Sequence, residues 1–289
     1  MNASNANTEL MPKEVYLCAI CNISSGSCSE DCKFCTQSAK YHVDIEIYKQ
    51  KDLQLILEEA NLAIKNQALG FCLVSSGRGL DERTLKFVCE ASNLIKKHHP
   101  DLNMIACNGI ATKEQLRILK DSGIRSYNHN LESSQNYYEK ICSTHSWSER
   151  FETCEAVQEV GLDLCCGGIW GMGESNDDRE SLLDSIVSLD PVSVAMNFYH
   201  PNSALPLEKN IDIDEALLWI RKTREALPKS MVMVAGGREI TFKERVADIF
   251  KSGANSIVIG NYLTTSGDEP NRDLLMLEEL GLKVAKSCG

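Results

Sequence analysis

Residues 69–108, LGFCLVSSGRGLDERTLKFVCEASNLIKKHHPDLNMIACN, read as one strand-helix-strand unit. Leu69 to Val74 is a short apolar run of strand length, Glu82 to His98 has the wider spacing of an amphipathic helix, and Asn103 to Asn108 returns to strand character. A helix between two strands carries the chain back to the end where it started, so the strands run parallel.

The same alternation extends in both directions. Further strands are expected at Val15 to Ile23, Ser126 to Asn130, Asp163 to Gly168, Val192 to Asn197, Met231 to Ala235 and Ser256 to Ile259, which makes eight. Helical patterns fill the gaps at Leu53 to Asn66, Lys113 to Ser122, Ser148 to Val160, Asp178 to Leu189, Ile213 to Ala226, Phe242 to Lys251 and Asp273 to Leu280. Gly123, Gly161 and Gly253 stand where helix C-caps are expected. Eight βα units favour a closed (β/α)8 barrel of the TIM type. The alternative, an open doubly wound sheet, lacks a GxGxxG fingerprint opening its first helix.

A chain of 289 residues with 43% hydrophobic and 25% charged residues fits one such domain with a sizeable core. We expect a loose extension at 1–12 and the barrel at 13–289. The N-terminus has no basic and apolar leader, and no run reaches the roughly 18 apolar residues of a membrane span. A cytoplasmic protein without membrane contact is therefore expected. The net charge of -11 opposes nucleic-acid binding and favours a small substrate. Thirteen cysteines, an odd number, point to metal or redox chemistry rather than a paired disulfide framework.

Cys28, Cys32 and Cys35 follow the first strand in Ser27-Cys28-Ser29-Glu30-Asp31-Cys32-Lys33-Phe34-Cys35. Closely spaced thiolates hold iron-sulfur clusters, and three of them on a four-iron cube leave one iron open to a reacting ligand. Structural zinc is the competing reading, but it normally takes four ligands. Only Cys21 and His42 lie near enough in sequence to supply a fourth.

Cys72, Cys107 and Cys165 fall on the second, third and fifth expected strands, with Arg238 just past the seventh. Strand side chains alternate between faces. If Phe71, Leu73, Met104, Ala106 and Leu164 pack outward against helices, all three thiols face the barrel interior, and only one of Cys165 and Cys166 can do so. In a barrel of this kind chemistry sits at the C-terminal ends of the strands, where Asn128-His129-Asn130 and Asn197 also fall. Taken singly, each cysteine also reads as an ordinary buried residue.

The CxxxCxxC spacing with Phe34 before the last cysteine resembles the radical S-adenosylmethionine superfamily. From about Val15 to Leu282 the order SCSEDCKFCTQSAKY, GFCLVSSG, ACNGI, SYNHNLESS, LCCGGIWGMGE, AMNFYHP, VAGGREI and GANSIVIGNYL is similar to the biotin synthase family. That resemblance implies sulfur insertion into dethiobiotin, driven by a 5'-deoxyadenosyl radical from S-adenosylmethionine. It also implies a four-iron four-sulfur cluster on Cys28, Cys32 and Cys35, and a sulfur-donating two-iron two-sulfur cluster on Cys72, Cys107, Cys165 and Arg238. Further expectations are Phe34, Asn130, Glu132, Arg150, Gly168 and Ile169 as cofactor contacts, with Glu132 at the ribose and Arg150 at the methionine carboxylate. Asn130, Asn197 and Arg238 are the expected dethiobiotin contacts. A flavodoxin- or ferredoxin-type electron donor and a homodimer complete what the resemblance implies.

Two features depart from the family pattern. Glu132 replaces a shorter Asp, and Cys18, Cys21, Cys166 and Cys288 are extra thiols, of which Cys18 lies on the first strand within reach of the interior. A hydrogenase maturase, a methylornithine synthase or a sulfur-inserting tRNA enzyme would keep the first cluster. A non-catalytic iron-sulfur or zinc protein would explain the cysteines but not the Asn, Gly and Arg at strand ends.

Overall fold

A computed structural model describes residues 10–265 and 267–287. Its first half runs β1 (Glu14–Ser24), α1 (Leu53–Lys65), β2 (Gly70–Ser75), α2 (Glu82–His98), β3 (Asn103–Cys107), α3 (Lys113–Asp121), β4 (Ser126–Asn128), α4 (Gln135–Ile141) and α5 (Trp147–Glu159). The second half runs β5 (Asp163–Cys165), β6 (Gly168–Trp170), α6 (Asn176–Leu189), β7 (Ser193–Phe198), α7 (Ile213–Ala226), β8 (Met231–Val234), α8 (Arg238–Phe242), α9 (Asp248–Lys251), β9 (Ser256–Val258), α10 (Pro270–Glu279) and β10 (Lys283–Val284).

Strands pair in parallel in the order β1, β2, β3, β4, β5, β7, β8, β9. The ring closes where Tyr16, Leu17 and Cys18 of β1 meet Ser256, Ile257 and Val258 of β9. These are the eight strands expected from the pattern, in a (β/α)8 barrel. β10 adds two residues beside the start of β1. The expected strand 163–168 is split into β5 and β6, and Gly167 shows why. A Cβ at Gly167 would lie 1.9 Å from the Ala195 carbonyl oxygen, so the chain passes β7 at a distance only glycine permits.

The wall of the barrel separates two apolar layers. Phe71, Leu73, Met104, Ala106, Leu164 and Cys166 point outward and join the main core, where Ile56, Val88, Leu116, Val157, Leu182 and Ile220 of the helices cover them. Each Val, Leu, Ile, Met or Phe side chain among them contributes about 1.5–3 kcal/mol on burial. The opposite parity turns Cys18, Cys72, Val74 and Ile105 into a separate interior cluster.

Helix starts are fixed locally. Asp52, Asp81, Thr112, Ser134, Ser146, Ser175 and Asp212 accept hydrogen bonds from backbone N–H groups of the first turns of α1 to α7, each cap adding about 1 kcal/mol. Thr112 with Gln115, Ser146 with Glu149 and Ser175 with Asp178 form reciprocal boxes.

Two helical assignments change. α4 was not expected, because its seven residues are too short to carry a period. The single helix expected from Phe242 to Lys251 is instead α8, a 3-10 turn at Lys243–Arg245 and α9. Lys243 takes φ +49° at the junction and breaks the helical run. Residues 1–9 of the expected N-terminal extension lie outside the described residues. Among those described, no helix is long and apolar enough to cross a membrane.

Candidate active site

The first cysteine loop leaves β1 through Gly26 and Ser27, whose φ values of 70° and 56° reverse the chain. Backbone bonds then pin the loop on itself: Cys28 N donates to Gln37 O at 3.1 Å, Ala39 N to Cys28 O at 2.8 Å, and Cys35 N to Cys32 O at 3.0 Å. Cys32 is buried, and Cys28 and Cys35 are half-buried. Burial pushes the Cys35 thiol up to about 11, with the neighbouring Cys28 charge adding to the effect. Cys32 is pushed up by its bond to Cys142 and by burial, with the Cys35 charge adding to both. The three sulfurs therefore form one coupled group of soft donors in a partly dry loop.

An apolar wall stands beside it. Phe34, Cys35 and Ile169 pack on a cluster that includes Cys32, Tyr137, Tyr138, Met172 and Tyr199. Gly168 lets β6 approach the segment after β4, where the Ile169 N–H donates to Glu132 O at 2.8 Å. Phe34 and Ile169, both expected cofactor contacts, pack against this one cluster.

A polar wall carries the other expected cofactor contacts. Arg150 Nη2 donates to Glu132 Oε1 at 3.0 Å, and Arg150 Nε to the Asn130 carbonyl at 2.6 Å. Burial pushes the Glu132 carboxyl up against the pull of Arg150. Glu132 also holds a left-handed φ of 67°, a strain of about 1–3 kcal/mol for a non-glycine residue. Asn128 Oδ1, Asn130 Oδ1 and Glu132 Oε2 are buried without a hydrogen-bond partner. Buried acceptors left open cost free energy unless a ligand supplies donors, so this wall fits hydroxyl, ammonium or amide N–H groups.

The interior thiols form the second constellation. Cys72 is buried, and its thiol is pushed well up by burial, with Cys107, Cys18 and Cys165 the charges that bear most on it. Burial pushes Cys107 up to about 11, opposed by the Asn128 Nδ2–H that points at its sulfur from 3.4 Å. Cys165 is the β5 partner of Asn128. Cys107 and Met233 flank the interior cluster of Cys18, Cys72, Val74 and Ile105. Neutral thiols in a dry chamber lose their protons only to a metal, and this donor set suits an iron-sulfur cluster.

Arg238 does not join them. Gly237, with φ +81° and no room for a Cβ beside the Phe198 carbonyl, turns the chain out of β8, and Arg238 begins α8. Its guanidinium is fully buried and forms a bidentate pair with Asp273 at 2.7 and 2.8 Å, with Glu239 at 2.9 Å. Arg238, expected as fourth metal ligand and substrate contact, is therefore not placed among the interior thiols. It ties α8 to α10, while Cys18 and Met233 occupy the interior. Asp273→Asn should leave the guanidinium underpaired and lower stability by about 3–5 kcal/mol, read as the midpoint of denaturant unfolding.

Two other residues at strand ends are bonded or packed within the barrel wall. Asn197 Nδ2 donates to Gly168 O at 3.1 Å and its Oδ1 accepts from Gly236 N at 2.9 Å, bracing β6 and the end of β8. His129 sits in the barrel wall beside Tyr127, where burial keeps its imidazole neutral. The sequence reading missed Cys142, His145 and Glu30, which meet at Cys32. The Cys142-Ser143-Thr144-His145 spacing was the available signal.

Residues 22–186 match the Radical SAM superfamily and residues 195–283 match the Biotin and Thiamin Synthesis associated domain. The chain is 57% identical over 278 residues to the biotin synthase of Sulfurovum sp. (strain NBC37-1), covering 96% of this chain and 98% of that one. It is 56% identical over 279 residues to the biotin synthase of Sulfurimonas denitrificans, covering 96% and 99%. Among solved structures, methylornithine synthase superposes with a TM-score of 0.80 at 18% identity, covering 97% of this chain and 86% of that one. The FeFe-hydrogenase maturase HydG from Carboxydothermus hydrogenoformans gives a TM-score of 0.81 at 16% identity, covering 96% and 69%. These two likenesses concern the fold.

Proposed function

The chain belongs to the biotin synthase family of radical S-adenosylmethionine enzymes, and from that premise we propose which of its residues perform the reaction. The activity is insertion of sulfur into dethiobiotin to form biotin, with S-adenosylmethionine, a four-iron four-sulfur cluster and a two-iron two-sulfur cluster as cofactors. When bound, the first cluster supplies the electron that opens the sulfonium of S-adenosylmethionine, and the second supplies sulfur.

Cys28, Cys32 and Cys35 hold the first cluster. The open acceptors of Asn130 and Glu132 take the ribose hydroxyls and the ammonium, Arg150 answers the methionine carboxylate, and Phe34, Gly168 and Ile169 form the face for the adenine. Cys72, Cys107 and Cys165 hold the second cluster. Its fourth donor is Cys18, because Cys18 shares the interior with Cys72 while Arg238 is committed to Asp273. Dethiobiotin lies between the two groups, near Asn130 and the Asn197 brace. Val74, Ile105 and Met233 keep water from the interior thiols.

The observation that carries this reading is the convergence of Cys18, Cys72, Cys107 and Cys165 on one chamber. A second set of soft donors is what the sulfur-supplying half of this reaction requires. The reaction needs an electron donor, which we take to be of the flavodoxin or ferredoxin type. A cytoplasmic homodimer, with residues 13–289 as one domain in each copy, completes the proposal.

Anaerobic reconstitution followed by S-adenosylmethionine and a reductant tests it. Dethiobiotin should stimulate 5'-deoxyadenosine release and biotin should appear. Release that ignores dethiobiotin and yields no biotin would reject the assignment.

A further inference from the structure

Metal-type donors also converge on Cys32 from a loop that takes no part in the cluster motif. Cys142 Sγ lies 3.6 Å from Cys32 Sγ and 3.3 Å from His145 Nδ1, and Glu30 Oε2 lies 2.6 Å from that same nitrogen. The ligand atoms of Cys32, Cys142 and His145 all fall within 4.8 Å of one another. All four residues are buried, with 2% exposure at Cys142 and 9% at Cys32.

We propose that in the iron-free chain Cys32, Cys142, His145 and Glu30 form a binding site for zinc(II) or a similar divalent d-block cation, sharing only Cys32 with the iron-sulfur site. Tetrahedral zinc, with Zn–S of about 2.3 Å and Zn–N of about 2.0–2.1 Å, needs S–S and S–N edges of about 3.7 and 3.5 Å. The present 3.6 and 3.3 Å edges are already close to these. The Glu30 oxygen, which falls outside the 4.8 Å group of the other three, has to leave Nδ1 and swing toward the cation, and binding releases the Cys32 thiol proton, with any proton on Cys142 or Nδ1, to water.

Two features hold the donors in place before any cation arrives. The outer nitrogen of the ring, Nε2, is 2.8 Å from the Tyr138 hydroxyl and 3.2 Å from Arg150 Nη1; with a metal on Nδ1 it donates to the Tyr138 oxygen, which fixes the ring, and the Arg150 N–H turns away. The two loops are also fastened together. Asp31 Oδ1 accepts from Ser143 N at 2.8 Å and Thr144 N at 3.3 Å, and Lys33 N donates to Ile141 O at 2.8 Å. Thiolates with an imidazole and a carboxylate select zinc over magnesium or calcium. Because Cys32 serves both sites, zinc here excludes the four-iron cluster, and cluster assembly must displace it. Until then the cation shields Cys32 from oxidation.

The test uses metal-free, reduced full-length chain carrying Cys72→Ala and Cys107→Ala, which removes two of the four interior donors. Zinc(II) is titrated against a chromophoric chelator, and cobalt(II) serves as the spectroscopic probe. One tight equivalent is expected, with sulfur-to-cobalt charge transfer and tetrahedral d–d bands. Cys142→Ser and His145→Gln should each weaken it by at least about 100-fold, since losing an outer partner alone costs 10–100-fold. Tyr138→Phe, a milder change, should weaken it by about 10-fold. Cys28→Ala and Cys35→Ala should leave it within about 3-fold, because neither supplies a ligand. No tight equivalent overturns the proposal. So does binding that is lost with Cys28→Ala and Cys35→Ala but survives Cys142→Ser, because the cation would then sit on the cluster triad.

Discussion

Cys35→Ala is expected to cut 5'-deoxyadenosine formation by at least about 1000-fold, a loss of ~4 kcal/mol of transition-state stabilisation, and to remove the four-iron cluster. Cys35 closes the tight turn on Cys32 through its backbone N–H and presents its sulfur to the same coupled group as Cys28 and Cys32. With two thiolates the cube loses a corner and the loop cannot offer the vacant iron to S-adenosylmethionine. The backbone bonds of the loop survive the substitution, so the fold should persist. Iron content and nucleoside release, read together, check this. Nucleoside release at the normal rate from the Cys35→Ala chain would show that the loop is not the cluster site.

The second large effect separates radical formation from sulfur insertion. Cys107→Ala should reduce biotin formation by at least about 100-fold, or ~2.7 kcal/mol, while 5'-deoxyadenosine is still released. Cys107 ends β3 in the interior, where its sulfur receives the Asn128 amide hydrogen and neighbours Cys72. It makes no contact with the loop of Cys28, Cys32 and Cys35 among the described hydrogen bonds. Removing its sulfur therefore strips a ligand from the second site and leaves the first intact. The ratio of biotin to 5'-deoxyadenosine is the readout, and a ratio equal to that of the unaltered chain would remove Cys107 from the sulfur-donating site.

The barrel was legible because its strands obey a local rule. Phe71 and Leu73 beside Cys72, and Met104 and Ala106 beside Cys107, announce which face meets the helices, and the structure sorts them as that parity requires. The first cysteine loop was legible for the same reason, since its three thiols lie within eight residues. What was not legible depended on distant partners. Arg238 follows β8 closely in sequence, yet the side chain that claims it, Asp273, lies 35 positions further on. The positive φ of Gly237 that sends it there has no signature beyond the glycine itself. Cys142 meets Cys32 across 110 positions through the fastening of two loops. Cys18 was readable as facing inward, but its place beside Cys72 rests on barrel closure, in which Cys18 pairs with Gly70 on one side and Val258 on the other.

The central claim is that this barrel carries a second, interior cluster held by thiolates alone. A chain in which Cys28, Cys32 and Cys35 are all replaced by Ala isolates that site. After anaerobic reconstitution with iron-57 and sulfide, its Mössbauer spectrum should show a two-iron two-sulfur cluster with both irons in matched, all-sulfur environments. An iron-free product, or a spectrum with one iron bound by a nitrogen or oxygen ligand, would contradict the assignment of Cys18, Cys72, Cys107 and Cys165.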